Sequence, residues 1–304
     1  MQADLLIPSP CAICGSHTPA EILYPANFHA AHLNADIFSA RRLPDRIHYQ
    51  MVRCTVCGLV RSDPIARPDL IEKLYQASRF TYTSEVESLK LTYGRYLQSL
   101  DDYGANHTSL LDVGCGNGFF LETARDLGYA DLWGVEPSAD AVAQAPTFLA
   151  GKIKQDIFRP GLFAENQFSV ICFFQVFDHF PDPASVLDET YRILAPGGLV
   201  LAINHDIEAL QARLLGSRSP IVDIEHTYLY SKITQSRIFR EYGFEIVASF
   251  DVVNRYPLHY WLQLSPLPAT LKRFSITLSK AVQLGYIPLS LKVGNQGLIA
   301  RKPQ

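Results

Sequence analysis

An apolar run ending in three alternating glycines, Leu110-Leu111-Asp112-Val113-Gly114-Cys115-Gly116-Asn117-Gly118-Phe119-Phe120, restricts the folds open to this chain more than any other segment. A strand-like stretch runs into a turn that glycine makes without steric cost, and a helical pattern follows. Such a unit lets a bound molecule approach the backbone at the carboxyl edge of a parallel sheet. The surrounding pattern agrees. Strand-like segments at 110–113, 132–135, 168–174 and 199–203 alternate with helical ones at 121–127, 139–145 and 184–194, the signature of βαβ units. A helix at 234–242 precedes two late strand-like segments, 244–253 and 297–301, which could form an antiparallel edge.

The glycine turn limits the cofactor. A dinucleotide fingerprint would need glycine at position 119, which is Phe119, and does not require an acid two residues before the first glycine, where Asp112 stands. A carboxylate there suits a cationic amino group better than a pyrophosphate. Glu136, followed by Pro137, ends the second predicted strand, where an acid can accept hydrogen bonds from both ribose hydroxyls. Adenosine with a cationic tail is S-adenosylmethionine. A nicotinamide-dependent oxidoreductase on a similar sheet is the alternative that Asp112 and Phe119 argue against.

These residues, with Glu136-Pro137-Ser138 and the later Leu194-Ala195-Pro196-Gly197-Gly198, resemble the class I S-adenosylmethionine-dependent methyltransferases over residues 93–304. The resemblance implies a doubly wound, mostly parallel, Rossmann-like seven-stranded α/β sheet. It places Gly114 and Gly116 under the methionine portion, Asp112 at its amino group, Glu136 at the ribose, and Asp156 and Ile157 at the adenine, and it implies that Gly118, Phe119, Pro137 and Gln175 also bind the cofactor. The segment from Phe173 through Gln175 to Asp178-His179 resembles the family's fourth-strand motif, with Asp178-His179 where a Glu-His pair is common.

Two further cysteine pairs, Cys11-Ala-Ile-Cys14-Gly and Cys54-Thr-Val-Cys57-Gly, have knuckle spacing. Together they predict a closed tetrahedral Zn²⁺ site that builds structure and has no open position for chemistry. His17, His29, His32 and His48 are expected to be loop histidines, and Cys115 and Cys172 small buried apolar residues. The predicted organisation is a zinc-binding module at 1–67, a helical bridge at 68–104 and a methyltransferase domain at 105–304. Tyr75, Tyr82 and Tyr93 of the bridge read as packing residues or as a cover over the cofactor.

On the acceptor side, Glu225-His226 resembles the Glu-His pair of sugar C-methyltransferases, and His205 ends the fifth predicted strand at the active edge. These three are the candidate catalytic residues, a histidine of near-neutral pKa serving as base. In an extended segment Glu225 and His226 would point to opposite faces. The expected acceptor is a small polar molecule, a saccharide or relative of one, with RNA or protein as the alternative.

A net charge of -3 gives no bulk attraction to nucleic acid, and 48% hydrophobic with 19% charged residues excludes a disordered chain. No apolar run is long enough to span a bilayer, so the protein reads as cytoplasmic. The stretch 256–286 is unusually apolar around Lys272, Arg273 and Lys280. It reads first as a buried subdomain, with pocket capping, homodimer contact and membrane-surface contact as alternatives.

Overall fold

The computed structural model describes residues 5–15, 20–29, 33–34, 37–38, 47–81, 86–265 and 267–304; His17, His32 and Tyr82 lie outside them. The N-terminal part contributes β1 (Leu6–Ile7), β2 (Ala20–Tyr24), β3 (Met51–Cys54), β4 (Val60–Ser62) and β5 (Ile65–Ala66), then α1 (Pro68–Gln76) and α2 (Val86–Gln98). The alternating region follows as β6 (Ser109–Val113), α3 (Phe119–Asp126), β7 (Asp131–Val135), α4 (Ala139–Ala143), β8 (Ile153–Lys154), β9 (Phe168–Phe174), α5 (Pro183–Ile193) and β10 (Leu194–His205). After these come α6 (Leu210–Leu215), β11 (Tyr228–Leu229), α7 (Lys232–Glu241), β12 (Glu245–Pro257), α8 (Leu258–Leu264), α9 (Ala269–Ala281) and β13 (Pro288–Arg301).

Seven strands form the main sheet in the order β12-β13-β10-β9-β6-β7-β8. The neighbours from β10 to β8 pair in parallel, whereas β13 is antiparallel to both β10 and β12. The expected antiparallel edge is therefore present. Central strands buried on both faces read as continuous apolar runs. Their alternation still sorts side chains: Leu111, Val113, Ile171, Phe173, Val200 and Ala202 enter the core on one face. Leu110, Val170, Cys172, Leu199, Leu201 and Ile203 enter the core on the other. The helices start where local chemistry satisfies their first amides. Asp182 caps α5 by accepting from Ser185 N–H with Pro183 in the first turn, and Ser231 with Thr234 forms a capping box on α7.

A second sheet has the order β11-β4-β3-β2, so a strand from far along the chain completes the N-terminal part. Tyr228 pairs with Arg61 and Leu229 with Val60. Cys11, Ile13, Cys54 and Leu59 share one core with Phe173, Phe177, Tyr228 and Tyr230, so the two parts are packed together.

The segment expected as a helical bridge contains two helices, α1 and α2. One expectation changes. The 256–286 stretch is not a buried subdomain: it forms α8 and α9 between β12 and β13, and Leu271, Phe274 and Leu278 of α9 are exposed. The apolar composition that suggested burial does not say which side of a helix meets protein. No described helix is long and apolar enough to cross a membrane.

Leu59 is fully buried in the shared core. Leu59→Ala should lower the unfolding free energy by roughly 2–5 kcal/mol, and calorimetry should show one transition for both sheets. Two resolved transitions would mean that the N-terminal part melts independently.

Candidate functional site

A cleft of about 690 Å³ opens at the carboxyl ends of β6, β7, β9 and β10. Asp112, Gly114, Gly116, Phe119, Glu136, Pro137, Ile157 and Gln175 line one part of it, and His179, His205, Asp223, Glu225 and His226 line another. Gly118 and Asp156 do not line it. Gly118 has φ 80 and begins α3, while the Asp156 carboxylate is held by the Ile157 N–H and by Arg159 at 2.6 Å.

The glycine loop is fixed by an acid. Glu136 Oε2 accepts the Gly116 N–H at 3.0 Å and Oε1 accepts the Ser138 N–H at 2.8 Å. At Gly114 the backbone has φ 74, and an added Cβ would sit 2.8 Å from Val176, so glycine is required on both counts. Ser138 Oγ donates to the Ser78 carbonyl and Asp140 accepts the Phe80 N–H, which brings Phe80 over Gly116.

Two carboxylates lie close together here. Burial pushes the Asp112 carboxyl well above its usual range, and the charge of Glu136 adds to the effect. Burial also raises Glu136, opposed by the N–H groups of Ser138 and Gly116. A cationic group in the cleft would relieve this. Gln175 adds a second unsatisfied feature: its backbone has φ 56, and neither its amide oxygen nor its nitrogen has a hydrogen-bond partner among the described residues. Left-handed backbone at a non-glycine residue is unfavourable and tends to mark sites of function. These features fit a ligand with an amino group and hydrogen-bonding hydroxyls, as S-adenosylmethionine has.

At the other end, residues 224–225 form a turn instead of an extended strand. Glu225 and His226 consequently both face the cleft. His226 Nδ1 lies 2.8 Å from the Ile221 carbonyl, which can only accept, so Nδ1 carries the proton and Nε2 is the basic nitrogen. His226 Nε2 and His179 Nε2 each lie 3.8 Å from an oxygen of Asp178. His179 Nδ1 meets the Tyr75 hydroxyl at 2.9 Å, and His205 Nδ1 meets Asn295 Oδ1 at 3.0 Å. Asp178 is 1% exposed, and neither carboxylate oxygen has a hydrogen-bond partner among the described residues. Burial raises its pKa, while the nearby His205 opposes the rise. Sequence reasoning missed Asp178 as the centre of three histidines and Tyr75 as the anchor of His179; the Asp178-His179 pair was the available signal. Tyr93, by contrast, stacks on Phe174 with ring centroids 4.2 Å apart.

The second candidate site joins Cys11, Cys14, Cys54 and Cys57, whose sulfurs all lie within 4.8 Å of one another. Cys11 Sγ is 3.4 Å from Cys57 Sγ and Cys54 Sγ is 3.9 Å from Cys14 Sγ, against about 3.8 Å for the edge of a tetrahedral zinc–thiolate centre. Gly15 N–H donates to the Cys11 carbonyl and Gly58 N–H to the Cys54 carbonyl, closing both knuckles. His48 is spent on the Tyr49 carbonyl at 2.7 Å. Next to the cluster, the Tyr228 hydroxyl donates to the Pro10 carbonyl at 3.0 Å. The Ser62 N–H donates to the Thr227 carbonyl and the Ser62 hydroxyl to the His226 carbonyl. The cysteine cluster and the Glu225-His226 turn are thus two ends of one hydrogen-bonded assembly.

The methyltransferase-domain family matches residues 86–249. The ubiquinone biosynthesis O-methyltransferase of Psychrobacter arcticus is 27% identical over 175 residues, covering 54% of this chain and 66% of that protein. The protein of the same name from Pseudomonas putida is 34% identical over 123 residues, covering 36% and 50%. The chain thus spans about half to two thirds of the length of these relatives. Among solved structures, the YcgJ protein of Bacillus subtilis matches with 16% identity and a TM-score of 0.49, covering 70% of this chain and 99% of that one.

A raised carboxyl pKa stabilises the fold below the ordinary carboxylate range, and that contribution is lost as pH rises through the folded value. Asp112→Asn removes the loss. The ligand-free variant should melt higher than wild type at and above neutral pH and alike in acid; a lower melting temperature at every pH would contradict the reading.

Proposed function

The chain belongs to the methyltransferase-domain family, and from that premise we propose that it is an S-adenosylmethionine-dependent methyltransferase acting on a small polar acceptor, a saccharide or a related molecule. The observation that carries the proposal is the juxtaposition, in one cleft, of buried Asp112 and half-buried Glu136 with the Glu225-His226 turn. When bound, S-adenosylmethionine supplies the methyl group on a sulfonium that leaves as a neutral thioether.

The residues divide the work. Asp112 receives the amino group, and its buried charge is what that cation offsets. Glu136 keeps the glycine loop in place through Gly116 and uses its remaining lone pairs on the ribose. Ile157 and Pro137 flank the adenosine, with Phe80 over the loop and the Gln175 amide available for a polar group. Gly118 shapes the turn and Asp156 sets the Ile157 segment without lining the cleft.

In-line methyl transfer needs an aligned nucleophile and, for a hydroxyl or an enolisable carbon, removal of its proton. His226 Nε2 takes that proton, and the resulting imidazolium faces the Asp178 carboxylate. Glu225 and Asp223 hydrogen-bond the acceptor's polar groups, and His205 is the alternative base. Saccharide specificity is supported by this polar lining and by the resemblance of Glu225-His226 to the sugar C-methyltransferases. The names of the curated relatives favour oxygen as the methylated atom, and the proton-removal step is the same in that case.

We assign residues 1–67 to a zinc-binding module, 68–104 to a bridge and 105–304 to the methyltransferase domain. One Zn²⁺ held by the four cysteines supports the β4–β11 pairing and, through it, the acceptor side.

Three outcomes test this. His226→Ala should lower turnover by roughly 10²–10⁴-fold with S-adenosylhomocysteine affinity unchanged; a parallel fall in both would make His226 a loop anchor. Asp112→Asn should weaken S-adenosylhomocysteine binding about tenfold or more by calorimetry, and unchanged affinity would remove Asp112 from the site. Freshly purified protein should carry one zinc, and Cys54→Ser should cost turnover more than cofactor affinity; a metal content below half an equivalent would count against the zinc assignment.

A further inference from the structure

The α8–α9 insertion lies beyond the stretch matched to the family, between the edge strand β12 and its neighbour β13. Helix α9 turns an apolar stripe outward. Leu271, Phe274 and Leu278 recur at helical spacing with Val282 just past the end, and they are 47%, 63%, 51% and 52% exposed. Tyr286 and Ile287 extend the patch across the following turn. On the inner side the insertion is firmly seated: Trp261 Nε1 donates to the Leu289 carbonyl, His259 Nδ1 meets the Gly285 carbonyl, and Tyr256 and Tyr260 join the core. The exposed stripe is therefore the outer face of an ordered element.

Charge identifies what that face can meet. From residue 252 to the last residue the sequence contains no Asp or Glu, while α9 itself carries Lys272, Arg273 and Lys280, the last two exposed as the stripe is. The nearest acid in sequence, Asp251, is taken up by Lys232 and Lys292. A two-fold contact between copies would lay this face on itself, bringing lysine and arginine against lysine and arginine with no acid to pair them. An apolar stripe on a helix that also exposes Arg273 and Lys280, with no acid, matches instead an anionic lipid surface, whose acyl boundary takes the leucines and phenylalanine and whose headgroups take the cations.

The placement is also directional. In the β10–β13 ladder His205 pairs with Asn295, so residues 288–294 continue past the carboxyl edge of the sheet where the cleft opens. We propose that the α8–α9 insertion docks the protein on an anionic membrane surface through Leu271, Phe274, Leu278 and Val282, with the cleft on the edge of the sheet that the insertion extends.

Co-sedimentation of the full chain with phosphatidylcholine vesicles, with and without phosphatidylglycerol, tests this. Binding should require phosphatidylglycerol and weaken at high salt. Phe274→Glu with Leu278→Glu should abolish it without lowering the melting temperature, because both side chains are exposed, and Lys272→Gln with Arg273→Gln should weaken it about tenfold. Three results would overturn the proposal: no binding to phosphatidylglycerol vesicles, undiminished binding by the Phe274/Leu278 variant, or a dimer in sedimentation velocity that this variant dissociates.

Discussion

The half of the cleft that we propose takes the acceptor depends on the pairing of β4 with β11. Tyr228 and Leu229 lie directly after Glu225-His226-Thr227, and their ladder with Val60 and Arg61 ties that turn to the strand following the second cysteine knuckle. Ser62 reinforces it from both its amide and its hydroxyl, and Tyr228 reaches the carbonyl next to Cys11. A turn without a helix or strand of its own would place a base poorly. This one is held by a second sheet, and the closed zinc site proposed for the four cysteines would need no reactive position to act through it.

The cofactor half follows a different logic. Its geometry comes from the main sheet, where β6 and β7 end side by side and deliver Asp112 and Glu136 to one edge. Burying two acids together is unfavourable in the absence of a cation. The same arrangement that costs stability in the empty protein favours a ligand with an amino group. Glu136 is only partly compensated by backbone amides, and Gln175 is held in a left-handed conformation with its amide unsatisfied among the described residues.

Much of this was legible in the sequence because the central strands are buried on both faces, so residues 110–113, which run into the glycine turn, and 168–174 could be read directly as apolar runs. Proximity across long separations was not. Strand β11 is two residues long, too short for any periodicity, and its partner in β4 is more than 160 positions away. Glu225 and His226 were expected on opposite faces because an extended chain alternates; the turn at 224–225 defeats that rule. Asp178 passed as a variant of a motif residue, since its place among His179, His205 and His226 arises only when β9, β10 and the 221–227 turn meet. The outward face of α9 was misread because a helical stripe does not say whether protein covers it.

Native-state hydrogen exchange with and without a metal chelator would test most directly whether the N-terminal sheet, with the zinc proposed for its cysteines, holds the Glu225-His226 turn. The account predicts that amides at 225–230 lose protection together with those at 51–62, while those at 109–113 keep theirs. Unchanged protection at 225–230, with 51–62 exchanging freely, would contradict it.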